Sequence, residues 1–125
     1  MNARGGPGED YKVLWRYTAK GLPLQVVEET PDWRRVCDPE GGVGWVKRTA
    51  VDNRWTAMRT GSSDLMLLNR PAADARPVAV LAARATADVQ RCKGGWCKLS
   101  VDHASGWVRA GDIWGGSDAP QCTKR

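Results

Sequence analysis

Phenylalanine is absent from this 125-residue chain, and histidine occurs once. The aromatic set is instead seven tryptophans and two tyrosines. Large cores usually mix Phe with Leu and Ile, so a Trp-heavy, Phe-free chain points to thin cores, each covered by an indole with a polar edge. The lone histidine, His103, leaves little for nucleophilic catalysis, which needs a positioned base. It falls in an expected hairpin turn near Ser105, where nothing rigid would hold it, and reads as an exposed turn residue. The acidic residues are scattered, without a paired-carboxylate pattern. No apolar run reaches 18 residues, so no helix is expected to span a membrane. No export segment is visible at the N-terminus. No basic block is longer than Arg34-Arg35 or Lys47-Arg48, which argues against nucleic acid as a partner. No cofactor and no metal site are expected, and the chain is read as a non-enzyme.

What is present bounds the size of the folding unit. Apolar residues make up 42% of the chain, as in globular proteins. The length suits one ordinary domain or two very small ones. A unit of about 60 residues buries only about 60% of its unfolded surface, so each half would be marginal alone. The net charge is +5, and its distribution is uneven. Residues 1–50 carry eight Lys/Arg against seven Asp/Glu, and residues 51–125 carry eleven against seven. A mild basic excess favours anionic surfaces at low salt.

Internal repetition is the most informative feature. Trp33-Arg34-Arg35-Val36 followed by Gly44-Trp45-Val46-Lys47 recurs as Trp96-Cys97-Lys98-Leu99 followed by Gly106-Trp107-Val108-Arg109, at offsets of 63 and 62 residues. Lys12-Val13-Leu14 corresponds loosely to Val78-Ala79-Val80-Leu81. The register sets a first unit at 1–51, a linker at 52–64, a second unit at 65–115 and a polar tail at 116–125. Short strands alternate with turn residues in both halves. Expected strands are 24–29, 33–38 and 43–47, then 86–91 and 96–101, with turns at Thr30-Pro31-Asp32, Pro39-Glu40-Gly41-Gly42, Gly94-Gly95 and around Asp102-His103. This spacing indicates a small barrel or sandwich. Ala72 to Ala87 is the one stretch where a helix competes, and Pro71 and Pro77 oppose a long one. Arg54 to Met58, inside the linker, has strand character, and Trp55 is expected to pack against a barrel.

Four cysteines, Cys37, Cys92, Cys97 and Cys122, fit an oxidising compartment. Cys92 and Cys97 bracket Lys93-Gly94-Gly95-Trp96, which in a hairpin sets them opposite each other, close enough for a cross-strand disulfide. Free thiols are the alternative; a zinc site would want two C-x-x-C pairs. The pairing of Cys37 and Cys122 is left open. The corresponding hairpin of the first half, Glu29 to Arg34, has no cysteine and is expected to hold by packing alone.

These residues resemble bacterial SH3 (SH3b) domains, in an exported tandem form of Gram-negative type. The opening Asn2-x-Arg4-x-Gly6-Pro7 with Tyr11 and Val13, then Trp33-x-x-Val36, then Gly44-Trp45-Val46 carry the likeness. The second half keeps Trp96-x-x-Leu99 and Gly106-Trp107-Val108 but opens on Leu68-Asn69-Arg70-Pro71, without the Gly-Pro-Gly turn. The resemblance implies an all-β fold of two tandem SH3-like small β-barrels. It implies a non-catalytic binding or adaptor module of the cell envelope, periplasmic or secreted, with a protein, peptide or cell-wall peptide as partner. Trp33 and Trp96 match the groove Trp of the wider SH3 fold. The Pro that the wider fold places soon after its Gly-x-hydrophobic signature, and its later Tyr, are replaced by Lys47 and Ala50, and by Arg109 and Asp112. A groove for anionic peptide or glycan stems is expected beside Trp33 or Trp96, flanked by Arg34, Lys47, Lys98 and Arg109. Two other functions compete: a purely structural packing module, and a nucleic-acid-binding barrel of the Tudor or KOW sort.

Overall fold

The computed structural model describes residues 1–52, 54–116 and Cys122. Eleven strands are present among them: β1 Asn2–Arg4, β2 Val13–Arg16, β3 Gln25–Glu29, β4 Trp33–Cys37, β5 Val43–Lys47, β6 Thr56–Met58, β7 Leu65–Leu68, β8 Pro77–Leu81, β9 Thr86–Lys93, β10 Trp96–Val101 and β11 Ala104–Arg109. Single 3-10 turns at Arg48–Ala50 and Ala110–Asp112 follow β5 and β11. The Ala-rich stretch therefore forms strands, β8 and the start of β9, with no helix.

Contacts divide the chain into two compact units, one on residues 1–20 and 24–52 with Cys122, the other on 21–23 and 54–116. The first holds a five-stranded sheet in the order β2-β1-β5-β4-β3. The second holds a six-stranded sheet in the order β6-β9-β10-β11-β7-β8. Read from the other end, the second order is the first repeated strand for strand, with β6 added at the edge. The register repeats as well. Trp33 faces Lys47, Arg35 faces Trp45 and Val36 faces Gly44; Trp96 faces Arg109, Lys98 faces Trp107 and Leu99 faces Gly106.

The reasons are local. Side chains alternate across a strand, so Val36 and Val46 face inward with Ala3 in the first unit. Leu67, Leu81, Leu99 and Val108 do the same in the second. The Gly of each Gly-Trp-Val segment lets a neighbouring strand approach. A Cβ on Gly44 would sit 3.0 Å from the Ala3 Cβ, and one on Gly106 would sit 2.7 Å from the Leu67 Cβ. Around Pro7 the glycines serve clearance rather than unusual dihedrals. None of Gly5, Gly6 and Gly8 has a positive φ, and a Cβ on Gly6 would run into the Tyr11 ring.

The first unit has the thinner core, and polar and covalent contacts reinforce it. Asp38, buried at the end of β4, accepts from the backbone N–H of Glu40 at 2.8 Å and of Gly42 at 3.0 Å through Oδ1. Its Oδ2 accepts from the Tyr17 hydroxyl at 2.7 Å. Cys37 is joined to Cys122 in a disulfide.

The strand character expected at Arg54 to Met58 is realised as β6, which joins the second sheet by pairing with β9 through Thr56–Asp88, Ala57–Ala87 and Met58–Thr86. Trp55 is 39% exposed and is tied by its Nε1–H to the Gly115 carbonyl at 2.6 Å, so it closes an edge rather than filling a core. The expected tail, 116–125, lies outside the described residues except for Gly116 and Cys122.

Candidate ligand-binding faces

In the first unit, β4 and β5 place Trp33, Arg35, Trp45 and Lys47 on the outer face of the sheet. Trp33 is 9% exposed, which is less than a free aromatic platform would show. It forms one wall of an open cavity of about 380 Å³, with Glu9, Pro31, Asp32, Lys47 and Arg48 around it. Within that cavity Lys47 Nζ lies 2.6 Å from Glu9 Oε1. The hydrogen bond from Lys47, and then its charge, hold the Glu9 carboxyl below the usual carboxylate range. Trp33 is fixed by the turn before it, where its N–H donates to Thr30 Oγ1 at 3.0 Å.

Arg34 does not join this face. It opposes the core residue Val46 and turns away from Trp33, giving its Nε to Glu29 Oε1 at 3.1 Å. Arg48 reaches the same Glu29 oxygen at 3.6 Å. The hairpin expected to hold by packing alone is thus held by an ion pair as well.

In the second unit, Cys92 and Cys97 are opposed in the β9–β10 ladder with Cα atoms 4.0 Å apart, and they form a disulfide. The turn between them uses Gly94 and Gly95, both with positive φ, at 58° and 83°. That pattern belongs to the tight two-residue hairpin that glycines favour. A bulge in β9 leaves Gln90 without an opposite number, so Leu99 pairs with Val89 and Lys98 with Arg91. The extra residue shifts the phase of the strand. Val89 and Cys92 both face inward, and Arg91 and Lys93 face outward.

The outer face of β9, β10 and β11 therefore carries Arg91, Lys93, Trp96, Lys98, Trp107 and Arg109. The Arg109 guanidinium lies 4.6 Å from the centre of the Trp96 ring. Arg91 and Lys93 lie 5.3 Å and 5.7 Å from the Trp107 ring. These distances set the cationic groups themselves over the indole faces. Trp107 is buried and Trp96 half-buried, while Arg91, Lys93 and Arg109 are exposed.

Of the residues picked from sequence, Trp33 and Lys47 come together on one unit, and Trp96, Lys98 and Arg109 on the other; Arg34 goes to the opposite face. Sequence reasoning missed Arg91 and Lys93. The signal was present: if Cys92 and Cys97 bridge on the inside, the residues flanking Cys92 must point outward. His103 is exposed in the two-residue turn between β10 and β11. Among the described residues no three His, Cys, Asp or Glu side chains gather as metal ligands would.

The repeat seen in register is also seen in comparison with known families. The sequence model of the bacterial SH3 domain matches residues 1–53 and again 62–115. The chain belongs to the bacterial SH3 domain family. It carries two copies, and the all-β architecture follows the family. Among curated proteins, it is 26% identical over 129 residues to YrvJ of Bacillus subtilis (strain 168), named "Putative N-acetylmuramoyl-L-alanine amidase". That match takes in 95% of this chain and 25% of the relative, so the SH3 pair corresponds to about a quarter of that protein.

Proposed function

We propose that this bacterial SH3 pair is a non-catalytic binding module of the cell envelope, periplasmic or secreted, that recognises a cell-wall peptide or an envelope protein. The observation that carries the reading is the shape of the match to YrvJ. A protein named for cell-wall amidase chemistry shares with this chain a segment that is a small part of its own length. We read a shared segment of this size as a targeting module. Two disulfides agree with an oxidising compartment. No helix among the described residues is long and apolar enough to cross a membrane.

The test is retention of purified full chain on peptidoglycan sacculi, with envelope extract as a parallel bait. Retention is expected, and Trp33→Ala and Trp96→Ala should reduce it more than they lower thermal stability. Retention on neither bait points to a packing module, and salt-sensitive binding to RNA in place of sacculi points to a nucleic-acid barrel. The chain should show no amidase turnover on sacculi; a rate that disappears with His103→Ala overturns the non-catalytic reading.

A further inference from the structure

The two repeats place the same backbone positions on their outer faces but fill them with different charges. The ladder pairs make the correspondence explicit. Glu28 opposite Arg35 in the first unit matches Arg91 opposite Lys98 in the second. Lys47 opposite Trp33 matches Arg109 opposite Trp96. Thr30, just past β3, matches Lys93. The first face thus carries an acid among its cations, and its Lys47 is paired with Glu9. The second face carries Arg91, Lys93, Lys98 and Arg109 with no acid among them. None of the four makes an ion pair among the described residues. The acid of β9 that lies closest along the strand, Asp88, is taken by Arg54 at 2.7 Å.

Four like charges on one small face repel one another, and an anionic ligand seated there would relieve that repulsion. The indoles narrow the choice. Their faces are occupied by the chain's own cations, Arg109 on Trp96, and Arg91 and Lys93 on Trp107. A ring face that carries a cation is not open to stack a nucleobase, the contact that single-stranded nucleic acid recognition relies on. The rings instead attract the cationic heads to their faces. The cations fall in two rows across the strands, Lys93–Trp96–Arg109 and Arg91–Lys98–Trp107. Alternate residues on a strand are about 6.8 Å apart, which is also the spacing of alternate side chains on an extended peptide.

We propose that the outer face of β9, β10 and β11 binds an extended peptide bearing several carboxylates, through Arg91, Lys93, Lys98 and Arg109. The surface is read from this unit alone; the envelope peptide as its natural source rests on the function proposed above.

The experiment uses the full chain and a fluorescein-labelled oligoglutamate, with oligoglutamine of equal length as its uncharged counterpart, read by fluorescence anisotropy. Oligoglutamate should bind, oligoglutamine should not, and added salt should weaken binding steeply. Arg91→Gln with Lys93→Gln, and separately Lys98→Gln with Arg109→Gln, should each weaken it by about five- to tenfold, the scale of losing two exposed charge pairs. Lys12→Gln with Lys20→Gln, which removes equal charge from the first unit, should change it less than about twofold, near the floor of such effects. Near-UV circular dichroism checks that each variant keeps its fold. Absence of oligoglutamate binding, or binding that both second-unit variants leave intact, overturns the assignment even if sacculi still retain the chain. Single-stranded RNA that binds more tightly than oligoglutamate and is lost in the same variants also overturns it. Loss of retention on sacculi with oligoglutamate binding unchanged sinks the envelope reading and leaves the face standing.

Discussion

Gly106 shows how much of each unit depends on a missing side chain. A Cβ there would lie 2.7 Å from the Leu67 Cβ and 3.0 Å from the Leu68 carbonyl oxygen, and neither can move without shifting β7. Gly106→Ala should cost about 1–3 kcal/mol, the usual range for overpacking. Gly111→Ala, with nothing within 4 Å, should be near neutral. Urea midpoints of the two variants check the contrast. Tyr17 is the second sensitive residue. Burial, and then its hydrogen bond to Asp38, push the phenol well above its usual range. An unfolded Tyr ionises near pH 10, whereas the folded one keeps its proton to higher pH. The sign follows: the contribution to stability is complete below about pH 10 and is lost as pH rises beyond it. Unfolding free energy measured from pH 8 to 11.5 should fall at the alkaline end. Tyr17→Phe should remove this part of the slope and cost about 1–3 kcal/mol at neutral pH, because it leaves a buried Asp38 oxygen without its donor.

The paired hairpins offer a comparison at the scale of an element. The β3–β4 hairpin is closed by Glu29 and Arg34, and the β9–β10 hairpin by Cys92 and Cys97, at matching ladder positions. Glu29→Gln should cost less than about 1 kcal/mol, because that pair is partly exposed. Replacing both Cys92 and Cys97 with Ser should cost roughly 2 kcal/mol, as a bridge closing a short loop does. Thermal melts of the two variants should rank in that order. These hairpins were legible in sequence because the turn residues and the Trp-x-x-hydrophobic spacing mark them directly. The bulges, at Val27 and Gln90, were not. A bulge changes which face the residues beyond it occupy, and Arg91 and Lys93 follow one in β9, so only their place beside Cys92 marked them; Arg34 sits next to Trp33 on an unbulged strand, where plain alternation already sends it to the other face. The place of β6 was hidden for a different reason: three residues of strand cannot reveal a partner some thirty positions away.

At the scale of the whole molecule, the duplication in sequence is reproduced as a duplication of strand order and register, and departures from it mark where the copies diverge. The opening of the second repeat lacks the Gly-Pro-Gly turn, yet β7 and β8 still pair as β1 and β2 do, because Leu67 supplies the inward side chain that Ala3 supplies in the first. The excess charge of the second half, visible in composition, is concentrated on one sheet face. The Cys37–Cys122 disulfide joins residues 85 apart in sequence. By the chain-entropy argument, closing so long a loop stabilises the folded state by about 4–5 kcal/mol. It also has a topological consequence. Every residue of the second repeat lies within a covalent ring. An endopeptidase that cuts once anywhere between residues 38 and 121 opens the ring without separating the pieces. A singly nicked chain should therefore run at full mass on a non-reducing gel and split into two bands only after reduction. Outside the cytoplasm, where proteases are encountered and reductants are scarce, one cut would leave both SH3 repeats on the same molecule.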